Sequence, residues 1–355
     1  DTIRIESLYK NNGFIDTKVS DPIIDIGEKF ISIHFKIDEG VQYKIKKIEI
    51  IGDLILPKEK ILDSLKSKET DLYNRESIRN DILYITDIYL NKGFANAKVN
   101  PLVNRNDTDH MMTITYSIVK GQPVYLNRIN ISGNLKTRDK IIRREIKINE
   151  QGLFSKEDIS KSYKNLNRLN YFAGIDIEPQ KTSDENKMDL NVKVVEKQTG
   201  NLSFGGGYSS EDGAFFQGSV EERNLYGRGH NLKLSAKIAK ETILYNIGFE
   251  EPYIFDSAVS GGFDLYKEDI EYDYYDKDAL GIILKLGYRL WDYAGMGIQY
   301  NIENFEISNV ESTYTNMVPG SFLTSSIKPY MQYDSRDDFF LPTEGYRYKF
   351  SIEYA

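Results

Sequence analysis

The hydrophobic pattern of the chain changes near Gly200. Before that point, a mixed helix and strand unit recurs about every 80 residues, so that Gly93 repeats Gly13 and Gly133 repeats Gly52. After it, only strands with alternating apolar and polar positions can be read. The spacing is too long for solenoid repeats, whose units have roughly 20–50 residues. The first part is therefore predicted to be a series of small tandem domains.

Composition narrows the classes of protein that fit this pattern. The 355 residues contain no Cys, which excludes disulfide frameworks and thiolate metal sites and suits an oxidising compartment. Apolar runs are too short for a transmembrane helix. The acidic excess lies in residues 200–355, and no basic patch of the kind that binds nucleic acid is apparent. Nucleic acid is therefore not an expected partner.

Each repeat reads as strand, helix, helix, strand, strand. Ile78, Ile82 and Ile85 form one stripe of the longer helix in the repeat that starts at Tyr43, and we expect them in its core. The predicted domains are 1–42 (the C-terminal part of a repeat), 43–121, 122–199 and 200–355.

The middle strand of each repeat is a candidate binding edge. A strand at the edge of a sheet leaves backbone N–H and C=O groups that can pair with an extended partner. Pro101 and Pro179 each interrupt one of these strands, and proline is tolerated at edges. The candidate edge residues are Ala95, Lys98, Val99, Ile175 and Ile177.

The second part has the features of an outer-membrane β-barrel. Apolar and polar residues alternate along about nine strands; Leu284 and Ile298, for example, lie on the face opposite to that of their neighbours Lys285 and Gln299. Many of these strands approach the ~9–11 residues that cross a bilayer at a tilt. Long polar connections, including Glu268–Asp278, alternate with short turns. Aromatic residues cluster near the short turns, as an interfacial girdle would: Tyr226, Tyr253, Phe255, Trp291, Tyr293, Phe339 and Phe340.

A soluble β-sandwich explains the alternation, but not the girdle, the unequal connections and the strand lengths together. The predicted fold class is therefore multidomain: tandem α+β domains (β-α-α-β-β), then the N-terminal part of an antiparallel transmembrane β-barrel. Nine strands cannot close a bacterial barrel, which has an even number, and the chain starts at Asp1 without Met. We therefore expect the sequence to be truncated at both ends.

Four motifs carry a resemblance to a known family. They are Val194-Val-Glu-Lys-Gln-Thr-Gly200, Arg223-Asn-Leu-Tyr-Gly-Arg-Gly229, Glu250-Glu-Pro-Tyr-Ile-Phe-Asp256, and Tyr333-Asp-Ser-Arg-Asp-Asp338 with Pro342-Thr-Glu-Gly345. With them the whole chain resembles the BamA family of outer-membrane protein assembly factors, in which polypeptide-transport-associated (POTRA) domains precede a barrel. The resemblance implies a sixteen-stranded barrel whose first and last strands meet at a weak lateral seam.

The resemblance also implies a location, a function and partners. The barrel would lie in the Gram-negative outer membrane, with the POTRA domains in the periplasm, and would fold and insert client β-barrel proteins. The implied partners are unfolded outer-membrane proteins, accessory lipoproteins, periplasmic chaperones, the lipid bilayer and lipopolysaccharide. A TamA-like assembly factor, a two-partner secretion transporter and a passive porin or receptor barrel remain alternatives.

Two sets of site residues follow. The first barrel strand is expected to pair with client strands, and its three consecutive glycines favour easy opening, although they could instead relieve crowding inside the barrel. Its residues are Asn201, Leu202, Ser203, Phe204, Gly205, Gly206 and Gly207. By resemblance, Glu150 with Arg143 and Arg144 would contact an accessory lipoprotein; the alternative is a solvated acid at a helix end.

Enzyme chemistry finds little support in the sequence. His34, His110 and His230 show neither metalloprotease nor triad-like spacing, and Gly205–Gly207 is not followed by the Lys of a phosphate loop. The acids around Asp334–Asp338 fit a salt-bridged turn better than a cation site. We predict no catalytic residue, metal or cofactor.

Overall fold

The computed structural model describes residues 1–27, 29–210, 213–313, 318–336 and 342–355. Asp337, Asp338, Phe339 and Phe340, to which the sequence assigned a turn and part of the girdle, lie outside the described residues. The chain forms two compact units. The first comprises Asp1–Ile129, Lys147–Ser160 and Pro179–Leu190, and the second comprises Asn130–Ile146, Lys161–Glu178 and Asn191–Ala355.

The first unit begins with a helix and two small sheets. Helix α1 (Thr2–Lys10) precedes strands β1 (Lys18–Val19), β2 (Ile23–Ile26), β3 (Ile31–His34) and β4 (Ile37–Asp38). Strand β1 pairs with β4, and β2 pairs with β3, both antiparallel.

The following repeat has the predicted β-α-α-β-β order. Its elements are β5 (Lys44–Gly52), α2 (Lys58–Ser64), α3 (Arg75–Leu90), β6 (Lys98–Asn106) and β7 (Met111–Val119). The sheet order is β5-β7-β6, with β5 parallel and β6 antiparallel to the central β7. Asn74 caps α3 by accepting a hydrogen bond from the Ser77 N–H. Ile78 and Ile85 of the predicted stripe are buried in the core.

The next repeat has the same plan. Its elements are β8 (Tyr125–Ser132), α4 (Asp139–Arg143), α5 (Lys156–Leu169), β9 (Phe172–Lys181) and β10 (Lys187–Glu196), and its sheet order is β8-β10-β9. The repeated order confirms the α+β part of the predicted fold.

Asparagine side chains join consecutive repeats within the first unit. Asn11, which ends α1, accepts a hydrogen bond from the Glu76 N–H at 3.1 Å. Asn91, which ends α3, accepts one from the Glu157 N–H at 2.8 Å. Each asparagine thereby satisfies a backbone donor in the first turn of a later helix, where such donors lack partners within the helix. The same contact thus recurs about 80 residues apart.

Residues 200–355 form one antiparallel sheet in sequential order. Its strands are β11 (Gly200–Ser209), β12 (Gly213–Leu225), β13 (His230–Ala239), β14 (Thr242–Glu251), β15 (Val259–Tyr272), β16 (Tyr275–Trp291), β17 (Ala294–Ser308), β18 (Gly320–Asp334) and β19 (Arg347–Ser351). These nine strands, counted over the described residues, agree with the predicted barrel fragment.

The two faces of this sheet differ in chemistry. Lys285 pairs with Asp264, and Lys277 pairs with Glu303 at 3.1 Å, so charges on one face are compensated across strands. Leu284 and Ile298 are exposed on the other face. Alternation of this kind is what a barrel with an apolar outside and a polar inside requires.

One predicted connection is wrong. Glu268–Asp278 was expected to be a long loop, yet β15 and β16 pair continuously up to Tyr272 and Tyr275. The charged residues of this segment led to the prediction of a loop, but backbone pairing between the two strands continues through them.

The helices that the structure describes include none with the length and apolar character needed to cross a membrane.

Candidate functional site: strand edges and a domain–sheet joint

Strand β11 ends the large sheet and contains the predicted client-pairing residues. It pairs with β12 over its full length, from Gly200 opposite Glu222 to Ser209 opposite Gly213. In the sheet order of the described residues, its other side has no neighbouring strand. Leu202 and Phe204 are 67% and 76% exposed, so little side-chain packing supports this edge.

The three glycines of β11 differ in their surroundings. A Cβ at Gly206 would lie 3.1 Å from the Phe215 carbonyl oxygen, and one at Gly207 would lie 3.0 Å from the Phe215 ring. A Cβ at Gly205 would meet only the Gln217 side chain, at 4.0 Å. Close packing against β12 therefore accounts for two glycines and leaves Gly205 without a local steric reason.

The α+β domains also present edge strands. In both complete repeats the middle strand in sequence, β6 or β9, lies at the edge of its sheet. Lys98 and Val99 begin β6, and Ile175 and Ile177 lie half-buried on β9. The assignment of Ala95 to an edge strand is wrong, because this residue lies in the turn before β6, where the chain leaves the α3 helix.

The residues assigned to a lipoprotein contact have partners within the chain. Glu150 is exposed, and its carboxylate accepts a hydrogen bond from the Ile129 N–H at 2.9 Å. Glu69, at the matching position of the preceding repeat, accepts one from the Ile48 N–H at 3.3 Å. This recurrence gives Glu150 a local role in holding the first strand of its domain. Its contact with a lipoprotein stays a prediction.

Arg143 and Arg144 have different environments. Arg143 is exposed and forms an ion pair with Asp139 at 2.9 Å, one helical turn away. Arg144 has a side chain only 15% exposed, and its guanidinium lies 3.8 Å from the centre of the Tyr253 ring. Arg143 is thus accessible to a partner, whereas most of Arg144 is covered.

A buried carboxylate organises the region around Tyr253. The Glu145 side chain is 4% exposed, accepts a hydrogen bond from the Tyr253 hydroxyl at 2.8 Å and lies 3.6 Å from the Arg289 guanidinium. Burial, and then the adjacent Glu145 carboxylate, raise the pKa of Tyr253 to about 12, so its hydroxyl remains a donor. A buried charge needs such partners, since leaving it unpaired is costly.

Further polar contacts surround this network. The Asn224 side chain donates to the Thr137 hydroxyl at 2.8 Å, and the Tyr171 hydroxyl donates to the Arg223 carbonyl at 2.9 Å. The Glu196 carboxylate accepts hydrogen bonds from the backbone N–H groups of Lys136 at 2.8 Å and Thr137 at 2.6 Å. Although burial acts to raise it, the pKa of Glu196 is lowered because these donors favour the charged form.

The side chain of Arg168, on α5, binds backbone carbonyls at the turns of the large sheet. Its guanidinium donates to the carbonyls of Asp292 at 3.2 Å and Asp334 at 3.3 Å, and it lies 4.7 Å from the centre of the Tyr293 ring. The planar guanidinium satisfies both kinds of contact at once.

These contacts define a domain–sheet joint, formed by residues 130–146, 161–178 and 191–200 with the turns of the large sheet. The motifs that carried the resemblance all reach it, through Glu196, Asn224, Tyr253 and Asp334. Sequence reasoning missed Glu145 and Arg168, since neither stands in a recognisable motif.

Among the described residues, no group of His, Cys, Asp and Glu side chains has an arrangement that could hold a metal ion.

Comparison with known families gives two matches. The POTRA model, described as a surface antigen variable number repeat, matches residues 43–121 and 124–197. The Omp85 superfamily domain matches residues 224–355. Together they cover both complete repeats and most of the large sheet.

Two similar proteins carry the same description. The chain is 30% identical, over its whole length, to the outer membrane protein assembly factor BamA of Nitratidesulfovibrio vulgaris, and it covers 46% of that protein. It is 25% identical over 99% of its length to the protein of the same description from Neisseria meningitidis serogroup B, covering 44%. The chain thus spans about half the length of the curated relatives it matches.

A solved structure has the same fold. The crystal structure of BamA from Haemophilus ducreyi lacking POTRA domains 1–3 aligns with 88% of this chain and 63% of its own, with a TM-score of 0.70 and 22% sequence identity. The order of POTRA repeats and antiparallel sheet therefore agrees with a known BamA fold. The chain belongs to the Omp85 superfamily as a BamA-type outer-membrane protein, with its POTRA domains in the periplasm.

Proposed function

We propose that the chain is the POTRA and N-terminal barrel region of a factor that folds client β-barrel proteins and inserts them into the outer membrane. The proposal rests on the similarity to curated assembly factors and on one structural observation. That observation is the position of β11 as the first strand of the antiparallel sheet, where it pairs with β12 on one side. The proposed factor would lower the free-energy barrier to insertion of client strands and would require no covalent chemistry.

The composition of β11 suits a temporary partner. Backbone groups supply the hydrogen bonds of an added strand, while side-chain packing supplies most of its specificity. Gly205 contributes no packing, and the exposed Leu202 and Phe204 offer apolar contact without a shaped pocket. A strand of this kind accepts clients of many sequences.

The edges of β6 and β9 have a related role in the proposal. An unfolded client presents extended backbone, and edge strands bind extended chains through backbone pairing. Lys98 on β6 and Ile175 on β9 lie at these edges. Periplasmic chaperones would deliver clients, and accessory lipoproteins would bind the last POTRA domain, 122–199 in the proposed division.

Crosslinking tests client pairing at β11. Because the 355 residues of this chain include no Cys, single Cys substitutions can be placed at positions 201–207 of the full-length protein. Each can then be crosslinked to Cys-bearing strands of a stalled client. We expect crosslinks in a fixed register or at alternate positions. Crosslinks confined to the POTRA domains would refute pairing at β11 and leave the barrel as an anchor.

The lipoprotein contact has its own test. Glu150→Lys should weaken capture of a cognate lipoprotein by placing like charges together. Glu69→Lys is the matched control, since Glu69 makes the same backbone contact in the preceding repeat. Equal losses in both variants would indicate that the substitution acts on domain structure, and unchanged capture would contradict the site.

A further inference from the structure

Three large apolar side chains are almost fully exposed around the domain–sheet joint. Leu135, in the loop after β8, is 95% exposed, Tyr226, in the turn between β12 and β13, is 83% exposed, and Phe255, in the turn between β14 and β15, is 99% exposed. Soluble surfaces seldom present such residues as a group, and a group of them marks a binding surface.

The three side chains come from neighbouring backbone. The Arg138 N–H donates to the Gly227 carbonyl at 3.0 Å, which brings the loop of Leu135 against the turn of Tyr226. The Lys140 ammonium bonds the Asp256 carboxylate at 3.0 Å, beside Phe255. A loop of the last POTRA domain and two turns of the sheet therefore lie along one rim.

The exposure of Leu135 is not the result of a loose loop. The Glu196 carboxylate accepts the N–H groups of Lys136 at 2.8 Å and Thr137 at 2.6 Å, and the Asn134 side chain donates to the Thr137 carbonyl at 3.0 Å. Hydrogen bonds thus fix the backbone on the C-terminal side of Leu135 and hold its side chain outward.

The backbone of both turns is in an uncommon conformation. Tyr226 has φ of 54° and Phe255 has φ of 52°, in the left-handed region that non-glycine residues seldom adopt. Strained residues of this kind concentrate where a side chain has a function. Here the conformation presents an aromatic ring to the surroundings.

Basic side chains accompany the apolar ones. Lys136, Arg138 and Arg228 are exposed, and in the described part of the chain none of them forms an ion pair with a carboxylate. Asp139 and Asp256 are paired with Arg143 and Lys140, and the Glu196 carboxylate is held by backbone N–H groups, so three basic side chains remain against one carboxylate. The rim therefore has an excess of positive charge.

We propose that this rim is a membrane-surface anchor for the last POTRA domain. Leu135 enters the interfacial region of the periplasmic leaflet beside Tyr226 and Phe255, and Lys136, Arg138 and Arg228 contact phosphates of anionic phospholipids. Apolar side chains with Lys and Arg form the usual combination of interfacial membrane binding. The occupant is the bilayer, because both turns continue directly into strands of the membrane-spanning sheet.

The proposal goes beyond client assembly, because it assigns lipid contact to a residue of the periplasmic domain. Anchoring would restrict the orientation of that domain relative to the bilayer. It does not depend on whether clients pair with β11.

Spin-label depth measurement tests the anchor in the full-length protein, reconstituted into vesicles of phosphatidylcholine and phosphatidylglycerol. Nitroxide is attached to Leu135→Cys, with Leu284→Cys as the lipid-facing control and Tyr163→Cys as the exposed control on α5. We expect the label at 135 to collide with oxygen more than with a water-soluble nickel chelate, as the label at 284 does. The label at 163 should show the reverse.

A charge-reversed variant tests the basic residues. Lys136→Glu with Arg138→Glu should increase the collisions of the label at 135 with the nickel chelate in anionic vesicles, and the increase should be smaller in phosphatidylcholine alone. Lipid exposure at 284 together with aqueous exposure at 135 would overturn the anchor while leaving the barrel and its client function intact. A label at 135 shielded from both reagents would also overturn it, since protein and not lipid would then cover the position.

Discussion

The lipid-facing assignment of the large sheet gives a quantitative prediction at two adjacent positions of β17. Ile298 lies about five positions beyond the turn residue Tyr293. With a rise of ~3.3 Å per residue and a tilt of ~40°, that distance is roughly 13 Å along the membrane normal, close to half of a ~25 Å apolar band. Ile298→Arg should therefore place a charge near the bilayer midplane at a cost of about 2–4 kcal/mol.

Gln299→Arg is the matched control. Gln299 lies at almost the same depth but on the opposite face, across from Lys285, whose ammonium already pairs with Asp264. The new charge would face the polar interior and meet only cross-strand repulsion, which costs less than about 1 kcal/mol. The same residue type is thus introduced on both faces of one strand.

The measurement is the folding equilibrium of the full-length protein in lipid vesicles, titrated with urea. Ile298→Arg should lower the folding constant roughly 30-fold to several hundred-fold, while Gln299→Arg should change it by less than about fivefold. Equal losses at the two positions would refute the assignment of the faces. A larger loss at Gln299 would mean that the charged face, and not the apolar one, is inaccessible to water.

Two further predictions concern the last POTRA domain. Glu196→Gln should accelerate amide exchange in the loop of Lys136 and Thr137, whose N–H groups the Glu196 carboxylate binds. Because the pKa of Glu196 is lowered, the stabilisation by its carboxylate is present at neutral pH and is lost as the pH falls below the usual Glu range. The difference in exchange between the variant and the parent protein should therefore vanish in acid. Gly133→Ala should destabilise β8 by about 2 kcal/mol or more, since Gly133 has φ of 85° and its Cβ would lie 2.0 Å from the Val194 carbonyl. Limited proteolysis measures this loss, and Gly174→Ala, whose Cβ would meet only a side chain at 3.7 Å, should be tolerated.

Local patterns predicted the repeats and the faces of the strands. The stripe that includes Ile78 and Ile85 marks a helix whose core side is fixed by its own sequence, and the structure buries both residues. Alternation through Ile298 and Gln299 likewise assigns the faces of β17 without knowledge of its neighbours. Both signals depend on residues close together in the chain, which is why they can be read from one sequence.

The failures have a different origin. Glu268–Asp278 was read as a loop because charge usually marks one, but strand pairing depends on the opposite strand and not on the polarity of the segment itself. Ala95 was placed on a strand because the start of β6 is not marked locally. The Glu145–Tyr253–Arg289 network joins residues more than a hundred positions apart, and no local pattern reports such a contact.

The asparagine contacts between repeats bear on how arms of this kind gain domains. Asn11 and Asn91 each end a helix of one repeat. Each accepts a hydrogen bond from a backbone N–H in the first turn of a helix of the following repeat, that of Glu76 or Glu157 respectively. The repeat of residues 43–121, which contains both Glu76 and Asn91, therefore carries one half of the connector at each end. Duplication of a whole repeat in the gene produces matching connectors on both sides of the new copy, without any compensating substitution. A domain family described as a variable number repeat needs such self-compatible ends.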